Sequence, residues 1–191
     1  LYKYIDVLYD GHHNITGYTM QIRNLTDWEN YFRYIITFDG SDNELSELEL
    51  HWNGSEWENN NIYIYTYDAN NNQTTTERRS WFAGAWVNDY KNISTYDVNN
   101  NLTNFIYQSW VSGNWENTSQ MVYSYDENNN RTSSLFQSWN GGMVWANISQ
   151  HLYTYDNNNL ISDLFQDWGS GSWMNTTQFT YAYDANNNLI S

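Results

Sequence analysis

Cysteine and proline are absent from the 191 residues, 7 basic residues face 22 acidic ones, and no run of 18 apolar residues occurs. Each absence removes a class of protein. Without cysteine there is no disulfide framework and no zinc–thiolate site, and the redox compartment stays open. A formal charge of -15 excludes a nucleic-acid-binding surface. No apolar stretch is long enough to span a membrane as a helix, and no basic-then-apolar signal peptide opens the chain. Without proline, nothing in the sequence blocks a strand edge from pairing. Leu, Ile and Val are comparatively scarce. What is there instead is aromatic: 19% of the chain, with 11 Trp and 18 Tyr. Disordered chains are poor in aromatics, so the chain folds. It begins mid-pattern at "LYKYIDVLYD" and stops mid-pattern at "NNNLIS", as cuts in a longer or processed protein would.

The pattern is a repeat. A Tyr-Asp or Phe-Asp pair recurs at Asp10, Asp39, Asp68, Asp97, Asp126, Asp156 and Asp184, at spacings of 29, 29, 29, 29, 30 and 28 residues. Two Trp recur in each unit: Trp52 and Trp57, Trp81 and Trp86, Trp110 and Trp115, Trp139 and Trp145, Trp168 and Trp173. The first unit keeps Trp28 and has Arg23 in the other place. Two residues after the second Trp stands Asn30, Asn59, Asn88, Asn117, Asn147 or Asn175. The chain is thus one array with units at 10–38, 39–67, 68–96, 97–125, 126–155 and 156–183, and partial units at both ends. The longest unit gains its residue in "NGGMV", between Trp139 and Trp145, and the shortest loses one in "DNNNL" at 156–160. Length changes are tolerated in turns, so the Trp-to-Trp and Asp-Asn segments are the turns.

Between the turns the period is two. Trp115, Asn117, Ser119, Met121, Tyr123 and Tyr125 alternate along one strand, and Leu102, Asn104, Ile106, Gln108 and Trp110 along another. Each unit is therefore a β-hairpin, and the expected fold is all-β. About six 29-residue hairpins should form one continuous, coiling antiparallel sheet of about a dozen strands. Opposed Trp should pack as cross-strand pairs, followed by amide pairs such as Gln108 with Asn117, Gln137 with Asn147 and Gln166 with Asn175. Unbroken alternation puts the Trp, the amides, Leu/Ile and the Tyr rows on one face, which should roll inward or meet a second layer as the core.

The word "YxYDxNNNL" resembles the YD repeat of the RHS-like family, in which tandem hairpins carry Tyr-Asp followed by a Gly- or Asn-rich turn. The resemblance runs from Asp10 to Asp184. The Gly-Arg usual after the family's turn is replaced by Asn here. The Trp-x4-Trp pair looks more like the aromatic hairpins of choline- and glucan-binding cell-wall repeats. The resemblance implies a secreted or surface protein built from a coiling sheet, and it carries over no catalytic residue.

Candidate chemistry is thin. The four His (His12, His13, His51 and His151) recur at no common position, and "GSGS" at 169–172 is a turn rather than a nucleophile elbow. No enzyme is indicated. The acidic residues Asp42, Glu44, Glu47 and Glu49 read as a solvated charged face. Asp68, Asn70 and Asn72, Asp97, Asn99 and Asn101, Asp126, Asn128 and Asn130, and Asp184, Asn186 and Asn188 match the opening of a calcium loop, without its Gly and closing Glu. The other reading is an Asx-type turn with one Asn in the left-handed conformation. No cofactor is required; calcium is the one candidate ion. Of the Asn-x-Ser/Thr sequons, Asn14, Asn53, Asn72, Asn101 and Asn130 lie in or beside turns and are the candidate glycosylation sites. Two functions follow as expectations. One is a structural extracellular repeat whose edges template further copies head to tail, as a fibre or an adhesin stalk. The other is a module binding carbohydrate or cell wall through the Trp and Tyr rows.

Overall fold

The structure is a computed structural model and describes residues 1–142 and 144–191. Met143, within the expected insertion "NGGMV", lies outside the described residues. Among the described residues thirteen strands follow one another: β1 (Tyr2–Tyr9), β2 (Ile15–Asn24), β3 (Asp27–Phe38), β4 (Glu44–Trp52), β5 (Trp57–Tyr67), β6 (Gln73–Phe82), β7 (Ala85–Tyr96), β8 (Leu102–Val111), β9 (Asn114–Tyr125), β10 (Arg131–Trp139), β11 (Trp145–Asp156), β12 (Asn159–Gly169) and β13 (Ser172–Thr180). Their order in the sheet is their order in the chain, with no crossover. Among the described residues there is no helix, and so none able to cross a membrane.

The chain divides into two compact units. The first comprises Leu1–Asn92 with the hairpin tip Trp110–Trp115, and the second Ile93–Ser109 with Glu116–Ser191. In the first, β2 to β6 pair antiparallel in succession, with Trp52 opposite Trp57. In the second, β9 to β13 do the same, with Trp139 opposite Trp145 and Trp168 opposite Trp173. The expected hairpin, its turns and its cross-strand Trp pairs are all present.

The expected faces are not. The hairpins β4–β5, β10–β11 and β12–β13 each carry two bulges, where two residues of one strand oppose one of its neighbour, and their equivalents recur in β3 and β6. One falls three residues after the second Trp, at Tyr31, Asn60, Ile148 and Thr176. The other falls at the start of the hairpin's first strand, at Leu45, Thr74, Thr132 and Ile161. Each bulge reverses the alternation, because side chains switch faces with every one-residue slip. The Trp pairs, the Gln–Asn pairs and aliphatic pairs such as Leu48–Ile62 and Leu152–Leu164 share one face. The Tyr rows lie on the other, with His51, His151, Glu47, Glu49 and Arg78. Ring contacts agree: Phe32 meets His51 at 5.3 Å, Tyr18 stacks on Tyr34 at 4.7 Å, and His151 meets Phe165 at 4.8 Å.

A second expectation falls with the first. No apolar side chain among the described residues is buried; the buried polar ones are Thr19, Asn61, Gln120 and Ser134. Aromatic and aliphatic rows lie on both faces, and neither face forms a buried core among the described residues. The Trp and Tyr are therefore half-buried ladders, and cross-strand contact replaces a core.

Candidate functional site: the two hairpin ends

At one end of each hairpin the chain turns through Asp and Asn. In six loops, starting at Asp10, Asp39, Asp68, Asp97, Asp126 and Asp184, the bonding is the same. One carboxylate oxygen accepts the backbone N–H groups two and four residues on, and the other accepts the side-chain amide of the Asn four residues on. At Asp126 these donors are the N–H of Asn128 (2.9 Å), the N–H of Asn130 (2.8 Å) and Nδ2 of Asn130 (3.0 Å). The third residue after the Asp takes positive φ: His13, Asp42, Asn71, Asn100, Asn129 and Asn187. Asn tolerates that conformation best among non-Gly residues, which explains its abundance here. The hydrogen bonds hold the carboxyl groups of Asp39, Asp68, Asp97, Asp126 and Asp184 below the usual carboxylate range, the Asn side chain being the largest cause in each.

Adjacent loops are tied as well. Within the first unit Nδ2 of Asn43 donates to Oδ1 of Asn71 at 2.8 Å. Within the second, Asn101 donates to Asn129 (2.8 Å), Asn130 to Asn158 (3.0 Å) and Asn159 to Asn187 (3.0 Å). The first joint differs. Asp42 replaces the accepting Asn and takes Nδ2 of Asn14 at 2.8 Å and the imidazole of His12 at 2.7 Å. That hydrogen bond and the Asp42 charge raise the His12 pKa, and the same bond lowers that of Asp42. This exposed pair borders an open hollow of about 640 Å³ lined also by Asp10, Ile36, Phe38 and Asp39.

The residues singled out for calcium thus sit together loop by loop, with their carboxylates already occupied by N–H donors. No three His, Asp or Glu side chains converge on a common point among the described residues. Of the sequon residues, Asn14, Asn72, Asn101 and Asn130 commit their amide nitrogens to the loop Asp, and Asn53 donates to Glu58 at 2.6 Å. The short loop at Asp156 follows another solution: Asn157 and Asn158 both take positive φ in a two-residue turn.

In four of the Tyr-Asp words the Tyr closes the hairpin base. Its hydroxyl donates to a backbone carbonyl at the start of the hairpin's first strand: Tyr67 to Glu44 (2.9 Å), Tyr125 to Leu102 (2.9 Å), Tyr155 to Arg131 (3.1 Å) and Tyr183 to Leu160 (3.1 Å). Burial raises the pKa of Tyr67, Tyr125 and Tyr155.

At the other end the chain turns between Trp. Ala83-Gly84, Ser112-Gly113 and Ser170-Gly171 take positive φ at both positions, as two-residue hairpin turns require. The turn is tighter than the four residues between the Trp suggest, because the outermost two residues belong to the strands. All five Trp pairs meet edge to face, with centroids 4.9 to 5.1 Å apart. The expected amide pairs follow: Gln108 to Asn117 at 2.9 Å, Gln137 to Asn147 at 2.7 Å and Gln166 to Asn175 at 2.6 Å.

Alternation alone missed how these amides link. In the second unit Gln120 lies on the Trp face beyond the bulge, accepting from Asn104 at 3.3 Å and donating to Gln137 at 2.6 Å. A wire Asn104–Gln120–Gln137–Asn147 results, and Gln150–Gln166–Asn175 forms another. The recurrence of Gln at 120, 150 and 178 is the signal that could have revealed it. In the first unit, charge takes this place. Glu77 accepts from Arg79 (2.6 Å) and Lys91 (2.7 Å), and Lys91 lies 4.6 Å over the Trp115 ring.

Glu49 departs from the solvated reading. It accepts from Tyr34 (3.0 Å), Asn60 (2.6 Å) and Asn61 (2.8 Å) as the hub of a half-buried network. Burial raises the pKa of Glu47 and Glu44.

Neither a protein-family model nor a curated protein sequence matches the chain. Among solved structures, it is similar to a crystal structure of TcdB2-TccC3 at 10% identity and a TM-score of 0.51, covering 95% of this chain and 12% of that one. It also matches a DUF3836 family protein from Bacteroides vulgatus ATCC 8482 at 24% identity, covering 47% of this chain and 96% of that one, with a TM-score of 0.40. A protein with unknown function from Bacteroides fragilis NCTC 9343 matches at 19% identity, covering 78% and 91%, with a TM-score of 0.36. The TcdB2-TccC3 likeness is one of fold. No sequence-level match ties the chain to the YD-repeat family.

Proposed function

We infer that the chain is a non-enzymatic, extracellular or cell-surface structural repeat that associates with its own kind through strand edges. The observation that carries this reading is the identical bonding of six Asp-Asn loops. A reactive site is needed once, whereas these groups recur at each such joint and are consumed in holding it. The recurring Trp, Gln, Asn and Tyr likewise spend their contacts on neighbouring strands. The chain contains no proline, which would block pairing at a strand edge.

A second reading is favoured by the half-exposed Trp pairs, with Trp168 at 39% exposure. Rings presented in rows at about 9.6 Å, two strand spacings, form a track on which sugar rings can stack. One set of measurements separates the two. Sedimentation and negative-stain images of the purified chain should give assemblies larger than the monomer, and a panel of soluble glycans should leave Trp emission unchanged. Monomers at every concentration would overturn the structural reading, and a saturable emission change would establish the glycan one.

A further inference from the structure

Asparagine followed by glycine occurs at Asn53-Gly54 and at Asn140-Gly141, each in the turn between a pair of Trp. Such a dipeptide carries a reaction of its own. The glycine backbone nitrogen can attack the side-chain amide carbon before it, because no Cβ stands in the way. Three features of the surroundings govern that attack: what holds the amide oxygen, what receives the proton, and whether the attacking N–H is free.

At Asn53 all three favour it. Oδ1 of Asn53 accepts from the Ser55 N–H (2.9 Å), the Ser55 hydroxyl (3.0 Å) and the Glu56 N–H (3.0 Å). Donors fixed on an amide oxygen stabilise the negative charge it gains when its carbon is attacked. Nδ2 of Asn53 donates to a Glu58 carboxylate oxygen at 2.6 Å, so a base stands beside the leaving nitrogen. The Gly54 N–H has no acceptor among the described residues, and a Cβ built on Gly54 would meet nothing within 4 Å. Residues 53–56 and Glu58 are exposed to the water that completes the reaction. Asn140 supplies the contrast within the same chain. Among the described residues its Oδ1 accepts one bond, from the Gly142 N–H at 3.0 Å, and no carboxylate takes its Nδ2.

We propose that Asn53-Gly54 is a self-processing site, at which the turn converts its own asparagine to aspartate or isoaspartate. The Gly54 nitrogen bonds to Cγ of Asn53 and closes a cyclic imide. Glu58 takes the Gly54 proton and passes it to Nδ2; the Cγ–Nδ2 bond breaks and ammonia leaves. Water then opens the imide at either carbonyl, so no oxidant or reductant is needed. The product sets a carboxylate where an amide had donated to Glu58. Like charges in that place push apart the tip that Trp52 and Trp57 close at 5.1 Å. The change is one-way and confined to a single hairpin.

Incubating the whole folded chain in warm neutral buffer and mapping its peptides by mass spectrometry reports both sites at once. An oxyanion donor in a sealed site is worth about a hundredfold; with three in an exposed turn, Asn53 should convert at least about tenfold faster than Asn140. In guanidinium chloride, where only the dipeptides remain, the two rates should converge. Glu58→Gln should slow Asn53 several-fold, with Asn140 and the circular dichroism spectrum unchanged. Hydroxylamine, which cleaves the chain at such an imide, should cut the folded protein after Asn53 in preference to Asn140. Asn53 converting no faster than Asn140 in the folded chain would overturn the proposal, since the hydrogen bonds would then protect the amide. A preference that persists in guanidinium would overturn it equally, by placing the cause in the dipeptide rather than the turn. A Glu58→Gln rate equal to the parent's would overturn the proton relay.

Discussion

The two ends of the hairpin solve one problem with opposite chemistry. Each must reverse the chain where no core exists to press it in place. The Trp end does so with two rings edge to face at about 5 Å and a glycine in the turn. The Asp end does so with a charged acceptor, three N–H donors and an Asn held at positive φ. One end is held by contact area and carries no proton; the other is held by charge-assisted hydrogen bonds and titrates. The difference shows how a sheet without a buried apolar side chain can be stable: each unit brings its own local clamps, and repetition supplies their number.

The largest effect should follow from breaking a Trp clamp. Trp115 packs on Trp110 at 5.0 Å and carries Lys91 over its ring. Replacing it with Ala removes a half-buried aromatic, its edge-to-face partner and a cation–π contact, together about 2–3 kcal/mol. The urea midpoint should fall accordingly, and Trp115→Phe should recover part of the loss. A change under about 0.5 kcal/mol, the ordinary range for surface substitutions, would mean that the ring is not a clamp.

At the Asp end, backbone conformation can be separated from the loop-to-loop bond. Asn129 sits at φ 64° and accepts from Asn101. Asn129→Ala places an ordinary residue in the left-handed region and should lose about 1 kcal/mol. Asn129→Gly frees the backbone but still deletes the acceptor, so it should lie between Ala and the parent in melting temperature. If Gly were as damaging as Ala, the inter-loop bond would dominate over the turn.

The spacing made these clamps legible, and the bulges explain what it hid. A 29-residue period with paired Trp leads directly to hairpins, opposed rings and Gln–Asn pairs, since these depend on counting outward from a turn. The face of the Tyr rows depends on counting through the middle of a strand. There Tyr31, Asn60, Ile148 and Thr176 occupy the same bulged slot with no shared chemistry to mark it. Two reversals per hairpin cancel, so the register of the array survived the error while one face was misassigned. The absence of a core follows from that reassignment. The Asx-type turn was readable from Asp-x-Asn-x-Asn, but the replacement of amide by Arg79, Glu77 and Lys91 in one repeat was not, because it lies outside the repeated word.

The smallest effect, and the one that separates the ends most cleanly, is that of pH. The loop carboxylates of Asp39, Asp68, Asp97, Asp126 and Asp184 ionise more readily in the fold than in the open chain, because Asn amides and backbone N–H groups favour the charged form. Their contribution is complete above the ordinary carboxylate pKa of about 3.9 and is lost as pH falls through the lower folded values. Glu44 and Glu47 act in the other direction. Burial raises their pKa, so their neutral forms favour the fold below about 4.3 and that gain disappears as pH rises through their folded values. His12, raised by Asp42, favours the fold below about 6.5 and loses its effect above its folded pKa. Stability should therefore peak in the mildly acid range and fall away as pH drops below the ordinary carboxylate pKa of about 3.9 and the loops protonate. Hydrogen exchange should then show the amides of Asn70, Asn99 and Asn128 losing protection before those beside the Trp pairs. Simultaneous loss at both ends would mean that the clamps open as one cooperative unit, and the contrast between them would end at chemistry.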